Sequence, residues 1–375
     1  MISQHRRQTD SCIMMPSTAN RDALFMAIQS AACTIIIAFG ASAGLCAEPA
    51  ITALAISQDG QYVLTGSQAG ITVRSWPDLH VVRQLATEVD HVHHLALSED
   101  DQRLLITGGV PADFGAFQVL AWSSGDSLHK AIVTNDVILA GDFAELGNGH
   151  HGIVVACGDN STCLYELDRN LTVEKEPTKV FRGHSRRVTA LELLGGGGGD
   201  EAGWLLTTAY DHSLRVWELS SGRLRRTLDL HRGPVYDMAV RPRPRRGPAT
   251  DSAVGSGPPM VATCGADRTV RFWQPTIGRL MRFATLPVEA NAICWTRDGR
   301  HLAAAGQDGS ILWIEPETAK LLPRGGDRNV AVRAISGWPY ELEAAPDGDA
   351  VIVAGQGGQL CVVTLPRTEP NGQRP

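Results

Sequence analysis

GHSRRVTALELL, residues 183–194, and WLLTTAYDHSLRVWEL, residues 204–219, flank a glycine-rich spacer and decide how the chain is read. Three apolar runs, at 188–194, 204–208 and 214–219, have the length of strands, and Asp211-His212 places a tight turn between the last two. Short apolar runs bounded by turn residues read as strands rather than helices. The polar residues among them hold fixed places. His184 stands four before Val188, Thr207 four before Asp211, and Trp217 six after Asp211. The next block, LHRGPVYDMAV and MVATCGADRTVRFWQP, repeats that register with His231, Thr263, Asp267 and Trp273. A buried imidazole, carboxylate and indole N–H each need a partner, and a closed network supplies them at little net cost. A Thr–His–Asp set also suggests a nucleophile and its base. Its recurrence in two blocks, each with Trp at the same spacing, favours the structural reading, because an active site would occur once.

With Gly183-His184 opening it and Trp217-Glu218 closing it, the block resembles a WD repeat (WD40), one blade of a β-propeller, whose marks are GH, WD and a period near 40–45. The resemblance implies that His184, Thr207, Asp211 and Trp217, and likewise His231, Thr263, Asp267 and Trp273, form a hydrogen-bonded network inside their blades. Five further blocks follow the strand–turn pattern. The first is AITALAISQDGQYVLTGSQAGITVRSW (50–76), the second runs from His91 to Trp122, and the third holds Asp159 in a turn with Tyr165 where the Trp would stand. The sixth keeps Asp298-Gly299 and Asp308-Gly309, and its Trp313 falls one place early, facing the other side of its strand. The seventh ends at Leu365.

Seven blocks imply an all-β, seven-bladed β-propeller of four-stranded antiparallel blades. The expected blades are about 50–88, 89–133, 134–180, 181–229, 230–286, 287–325 and 326–366, with a disordered tail at 367–375. No blade buries its faces alone, so stability comes from packing around the ring. Closure of the ring is open at this stage: blade seven either has three strands or takes its fourth from residues 44–49.

Residues 1–47 break the pattern. Arg6, Arg7 and Arg21 precede an apolar stretch, 31–45, that ends in small residues before Glu48. This reads as a cleaved export signal, with an uncleaved N-terminal anchor as the alternative. The expected location is therefore the periplasm or cell envelope, with membrane attachment only if the segment is retained. Five cysteines follow it (Cys157, Cys163, Cys264, Cys294 and Cys361); no C-x-x-C pair occurs, and the odd count argues against a disulfide framework. With Asp159-Asn160 as the turn, Cys157 faces Thr162 rather than Cys163. The net charge of −6 and the lack of aromatic residues among the basic ones argue against nucleic-acid binding. His91, His93 and His94 do not converge on one face, so no metal site is expected, and no motif calls for a cofactor.

Two insertions, 195–203 and 241–259, and a stretched turn at 147–152 fall between the first and second strands of adjacent blocks. Arginines gather nearby at 223, 225, 226, 241, 243, 245 and 246. The resemblance implies a non-catalytic scaffold that presents a rigid disc to a protein or peptide partner, itself a monomer when unbound. The rim positions it points to are Arg186, Arg187, Tyr210, Tyr236 and Arg268. Two alternatives stand beside it: an enzyme or small-ligand binder using the central channel, favoured by clustered carboxylates or histidines there, and a structural module of a larger envelope assembly.

Overall fold

The structure is a computed structural model that describes residues 48–147, 150–168, 173, 176–195, 203–242, 258–322, 331–348 and 350–366. The expected signal or anchor at 1–47, the tail at 367–375, Arg243, Arg245, Arg246 and most of both insertions lie outside the described residues.

Seven antiparallel sheets follow one another along the chain, at 51–85, 92–134, 138–182, 188–228, 235–285, 290–333 and 339–364, here blades one to seven. Their first strands are Ile51–Ile56, Val92–Leu97, Ile138–Gly147, Val188–Leu194, Val235–Val240, Ala290–Trp295 and Pro339–Ala344. Each of these packs on the next, and the last packs on the first, so they form the inner wall of a closed ring. The molecule is a seven-bladed β-propeller.

Alternation along each strand sends side chains to the two neighbouring blades, and the core therefore lies between blades. Trp217 of blade four packs with Val154 and Leu164 of blade three, while Trp273 of blade five packs with Leu206 and Val216 of blade four. Tyr165 fills the same position in blade three and meets Phe117 of blade two at 5.5 Å between ring centroids. Trp313 faces forward instead, among Leu342, Val351 and Val353 of blade seven. One residue of offset on a strand reverses the face, and here it changes which blade the indole joins.

Every inner strand opens with a β-bulge, and in three of them the bulged side chain clasps the next blade. Thr52 donates to the carbonyl of Val92, Thr189 to that of Val235 at 2.9 Å, and Asn291 to that of Pro339 at 3.2 Å. The turns between second and third strands need a residue at positive φ. Asn160 (φ 74°), His212 (φ 71°), Arg268 (φ 55°) and Gly309 (φ 82°) fill it. Gly309 has a second reason to be glycine, since a Cβ there would lie 2.1 Å from the carbonyl oxygen of Ile335.

Two expectations change. The turn of blade three is longer than Asp159-Asn160: Ala156 pairs with Thr162 and Val155 with Cys163. Cys157 therefore shares a face with Cys163, and both are free, buried cysteines. The short strand Ala331–Arg333 pairs with Ser310–Glu315 and extends blade six beyond the boundary expected at 325. Blade seven has three strands among the described residues, and Glu48 and Pro49 pass against Gly358 at its last turn.

Candidate functional site

Strand order divides the propeller into two rims. Loops between blades and turns between second and third strands share one rim; the other turns share the opposite one. The loop residues 184–187 and the Asp211 and Asp267 turns lie on the first. The insertions at 195–203 and 241–259 join first to second strands and so belong to the second.

On the first rim, blades four and five each hold a closed network. Trp217 Nε1 donates to Thr207 Oγ1 at 2.8 Å; Thr207 lies 2.8 Å from His184 Nε2, and His184 Nδ1 lies 2.9 Å from Asp211 Oδ2. Asp211 also accepts from the backbone N–H of Ser185 at 3.0 Å and from the Ser213 hydroxyl at 2.6 Å. Blade five repeats this with Trp273 to Thr263 at 2.8 Å, Thr263 to His231 at 2.7 Å, and His231 to Asp267 at 3.0 Å. Hydrogen-bond accounting assigns the protons. Each Thr oxygen accepts the indole N–H, gives its own proton to Nε2, and leaves Nδ1–H facing the carboxylate.

Burial lowers the pKa of His231 despite the pull of Asp267, so that imidazole is neutral. Burial by itself would raise both aspartates, but the hydrogen bonds from His184 and Ser213, and from His231, hold them well below the usual carboxylate range. Thr207 and Thr263 have no exposed surface, and both hydrogen-bonding roles of each hydroxyl are taken. Neither hydroxyl is placed to attack a substrate.

The expected rim residues fall into two groups. Arg186 and Arg268 are exposed, whereas Tyr210 is only 5 % exposed and lies under the Arg187 guanidinium, 4.9 Å from its ring centre. Tyr210 packs on Tyr236 at 5.7 Å, and the Tyr236 hydroxyl reaches Glu289 at 3.3 Å. Tyr210 is thus buried beneath Arg187 rather than open at the rim. Arginines of the opposite rim are largely occupied. Arg225 pairs with Glu218 at 3.0 Å, Arg226 donates to the Thr276 carbonyl at 3.0 Å, and Arg241 stacks on Trp295 and pairs with Glu317 at 2.9 Å.

The inner wall holds groups that sequence reading passed over. Asp142, Glu192, Asp237, Glu341 and Glu343 all lie on inner strands. Asp237 reaches across to the backbone N–H of Ile293 in blade six at 2.8 Å, satisfying an inner-edge donor that no strand pairs. Burial pushes the Asp142 and Asp237 carboxyls up to about 6 and that of Glu343 up to about 7. Burial, joined by the neighbouring carboxylates, also raises Glu192 and Glu341 well above the usual range. His93 and His94 are pushed down to about 4, mainly by burial, and stay neutral. Among the described residues no group of three His, Cys, Asp or Glu side chains is arranged to hold a metal ion. The alternation at 341 and 343, charged beside apolar, was the signal for a polar wall.

Comparison with known proteins gives one consistent result. The family model for the WD domain, G-beta repeat, matches residues 45–76, 175–218, 222–274 and 284–313, which include both networks. The chain is 24% identical over 217 residues to the ribosome biogenesis protein WDR12 homolog of Ixodes scapularis, covering 52% of this chain and 47% of that protein. It is 29% identical to WD repeat-containing protein 18 of Mus musculus, over 32% of this chain and 27% of that one. It is 22% identical to the LST8 homolog of Drosophila melanogaster, over 56% of this chain and 60% of that protein. The chain therefore spans about half or less of the first relatives, and somewhat more of the last.

Proposed function

We propose that this WD40-repeat propeller is a non-catalytic platform that binds a protein partner through the rim carrying Arg186, Arg187 and Arg268. The observation that carries it is the contrast within blades four and five. Their polar chemistry is buried and self-satisfied, while above it Arg187 lies on the buried Tyr210 ring and Arg186 and Arg268 are exposed on the same rim. Arginine on a preorganised support is a frequent interface anchor, because little entropy is lost when it binds. An acidic or aromatic surface is the complement such a rim calls for. Affinity capture from the native host with the wild type, Arg187→Glu with Arg268→Glu, and the opposite-rim control Arg223→Glu tests this. A partner that the wild type and the control retain and the double variant loses supports it; equal recovery on all three overturns it.

The leader reading at 1–47 supports export to the cell envelope, and mass spectrometry of the mature N-terminus tests it. A start near Glu48 supports cleavage, and an intact leader supports an anchor. The channel alternative has one observation in its favour, the carboxyl-lined inner wall, which would suit a small cationic ligand. Absence of any thermal shift with spermidine removes that reading.

A further inference from the structure

We propose that the cleft between blades two and three, on the same rim, binds a lysine or arginine side chain of an extended protein segment with an apolar residue beside it. The inference rests on the platform reading and names the chemistry of a partner at a second place on that rim.

The cleft has a volume of about 730 Å³, and Ile132, Thr134, Asn135, Asp136 and Asp159 are among its lining residues. Register explains why it exists. Thr134 stands four before Ile138, the first residue of its inner strand, as His184 stands four before Val188. Asp159 stands at the place of Asp211, Val155 at that of Thr207, and Tyr165 at that of Trp217. Blade three thus keeps the aspartate of the network and lacks its histidine.

The consequence is visible in the hydrogen bonds. Asp159 Oδ1 accepts from the Ser161 backbone N–H at 2.9 Å and from its hydroxyl at 2.5 Å, as Asp211 Oδ1 does with Ser213. In blade four the other oxygen receives His184 Nδ1; in blade three that donor position is a threonine whose buried Oγ1 has no partner. A second carboxylate stands close by. Asp136 Oδ1 accepts from the backbone N–H groups of Ala112 at 3.1 Å and Val137 at 2.8 Å, and a Cβ on Gly158 would lie 2.7 Å from the Asp136 carboxyl carbon. The nearest cation on that strand, Lys130, is paired with Glu88 at 3.4 Å.

A cleft with two carboxylates and a missing N–H donor calls for a cation that also donates. An ammonium or guanidinium supplies both, with the charge-assisted bonds that a neutral side chain lacks. Ile132, 66 % exposed and the most exposed large apolar side chain among the described residues, offers the apolar neighbour its contact at the cleft edge.

An array of short peptides, each placing Arg, Lys, Gln or Glu between leucines, tests the proposal on the full chain. The wild type is expected to prefer Arg and Lys over Gln, and Asp136→Asn with Asp159→Asn to lower that binding by at least about tenfold. Both substitutions keep the Oδ1 acceptors that hold the turns. A second pair, Thr134→His with Val155→Thr, restores the His–Thr–Asp part of the blade-four network inside the cleft and is expected to abolish the preference. Asn135→Lys, at an exposed loop position, is expected to weaken it. No preference for basic peptides by the wild type overturns the proposal. So does a preference that survives all three variants. If basic or other peptides bind the wild type and are lost only with Arg187→Glu, the platform reading stands and the cleft proposal fails. If the cleft variants lose peptide while native-partner capture is unaffected by Arg187→Glu and Arg268→Glu, the arginine rim fails and the cleft stands.

Discussion

Blades three and four share strand order and turn register and differ in how their polar groups are satisfied. In blade four, Trp217, Thr207, His184 and Asp211 form an unbroken chain from a buried indole to a carboxylate. In blade three the same places hold Tyr165, Val155, Thr134 and Asp159; the inner half of the network has become apolar, and its outer half opens on a cleft. The difference teaches that one repeat frame serves two ends. Where all four residues are present, the polar groups satisfy each other and lock the blade. Where the histidine is missing, the leftover carboxylate is exposed at the cleft.

The largest expected effect comes from breaking the closed side of this comparison. His231→Ala leaves Asp267 without its ring N–H and Thr263 without its acceptor, both in a buried setting. That should cost about 2–4 kcal/mol, read as a fall in the urea midpoint. The matching change in blade three, Thr134→Ala, should cost under about 1 kcal/mol, because its hydroxyl has no partner to lose. Similar losses at the two sites would dissolve the distinction.

A second effect, about 1–3 kcal/mol, concerns the inner wall. Glu343 has its carboxyl raised to about 7 in the fold, and Asp142 and Asp237 to about 6. Their stabilising contribution is fully present below the unfolded values near 4 and is lost as pH rises through 6 and 7. His93 and His94, held at about 4 in the fold, pull the other way over the same range. Comparison with a variant isolates the carboxyl: Glu343→Gln should gain more stability over the wild type at about pH 7.5 than at about pH 5.5. An unchanged pH profile in Glu343→Gln would show that this carboxyl does not carry the effect.

A smaller effect sharpens the role of the indole. Trp217→Phe removes an N–H bonded to Thr207 and should cost about 1–3 kcal/mol, whereas Trp313, whose Nε1 has no partner, should tolerate Phe for about 1 kcal/mol or less. Equal costs would mean that ring packing alone decides both.

Much of this was legible in the sequence for a physical reason. A buried polar network needs several residues at once, so it leaves a pattern of fixed spacings, and two copies at His184 and His231 made it readable. Trp313 was legible in the same way, because a one-residue offset on a strand reverses its face. The burial of Tyr210 was not legible because it depends on Arg187 of the preceding loop and Tyr236 of the next blade. The facing of Cys157 was misread because the length of a turn, not its Asp-Asn dipeptide, sets register. The carboxyls of the inner wall were passed over because a half-buried acid on an alternating strand looks like a solvent-facing one. Only the packing of blade five on blade six places Asp237 against Ile293. The cleft became visible when the residue missing from a repeat was set beside those present.

A double-mutant cycle measured by urea unfolding on both blades tests the account most directly. For His184→Ala and Asp211→Ala, the coupling should be about 1–3 kcal/mol; for Thr134→Ala and Asp159→Ala, it should lie within about 0.5 kcal/mol of zero. Coupling of the same size in both blades, or none in blade four, would contradict the claim that one frame is closed for stability and the other open for binding.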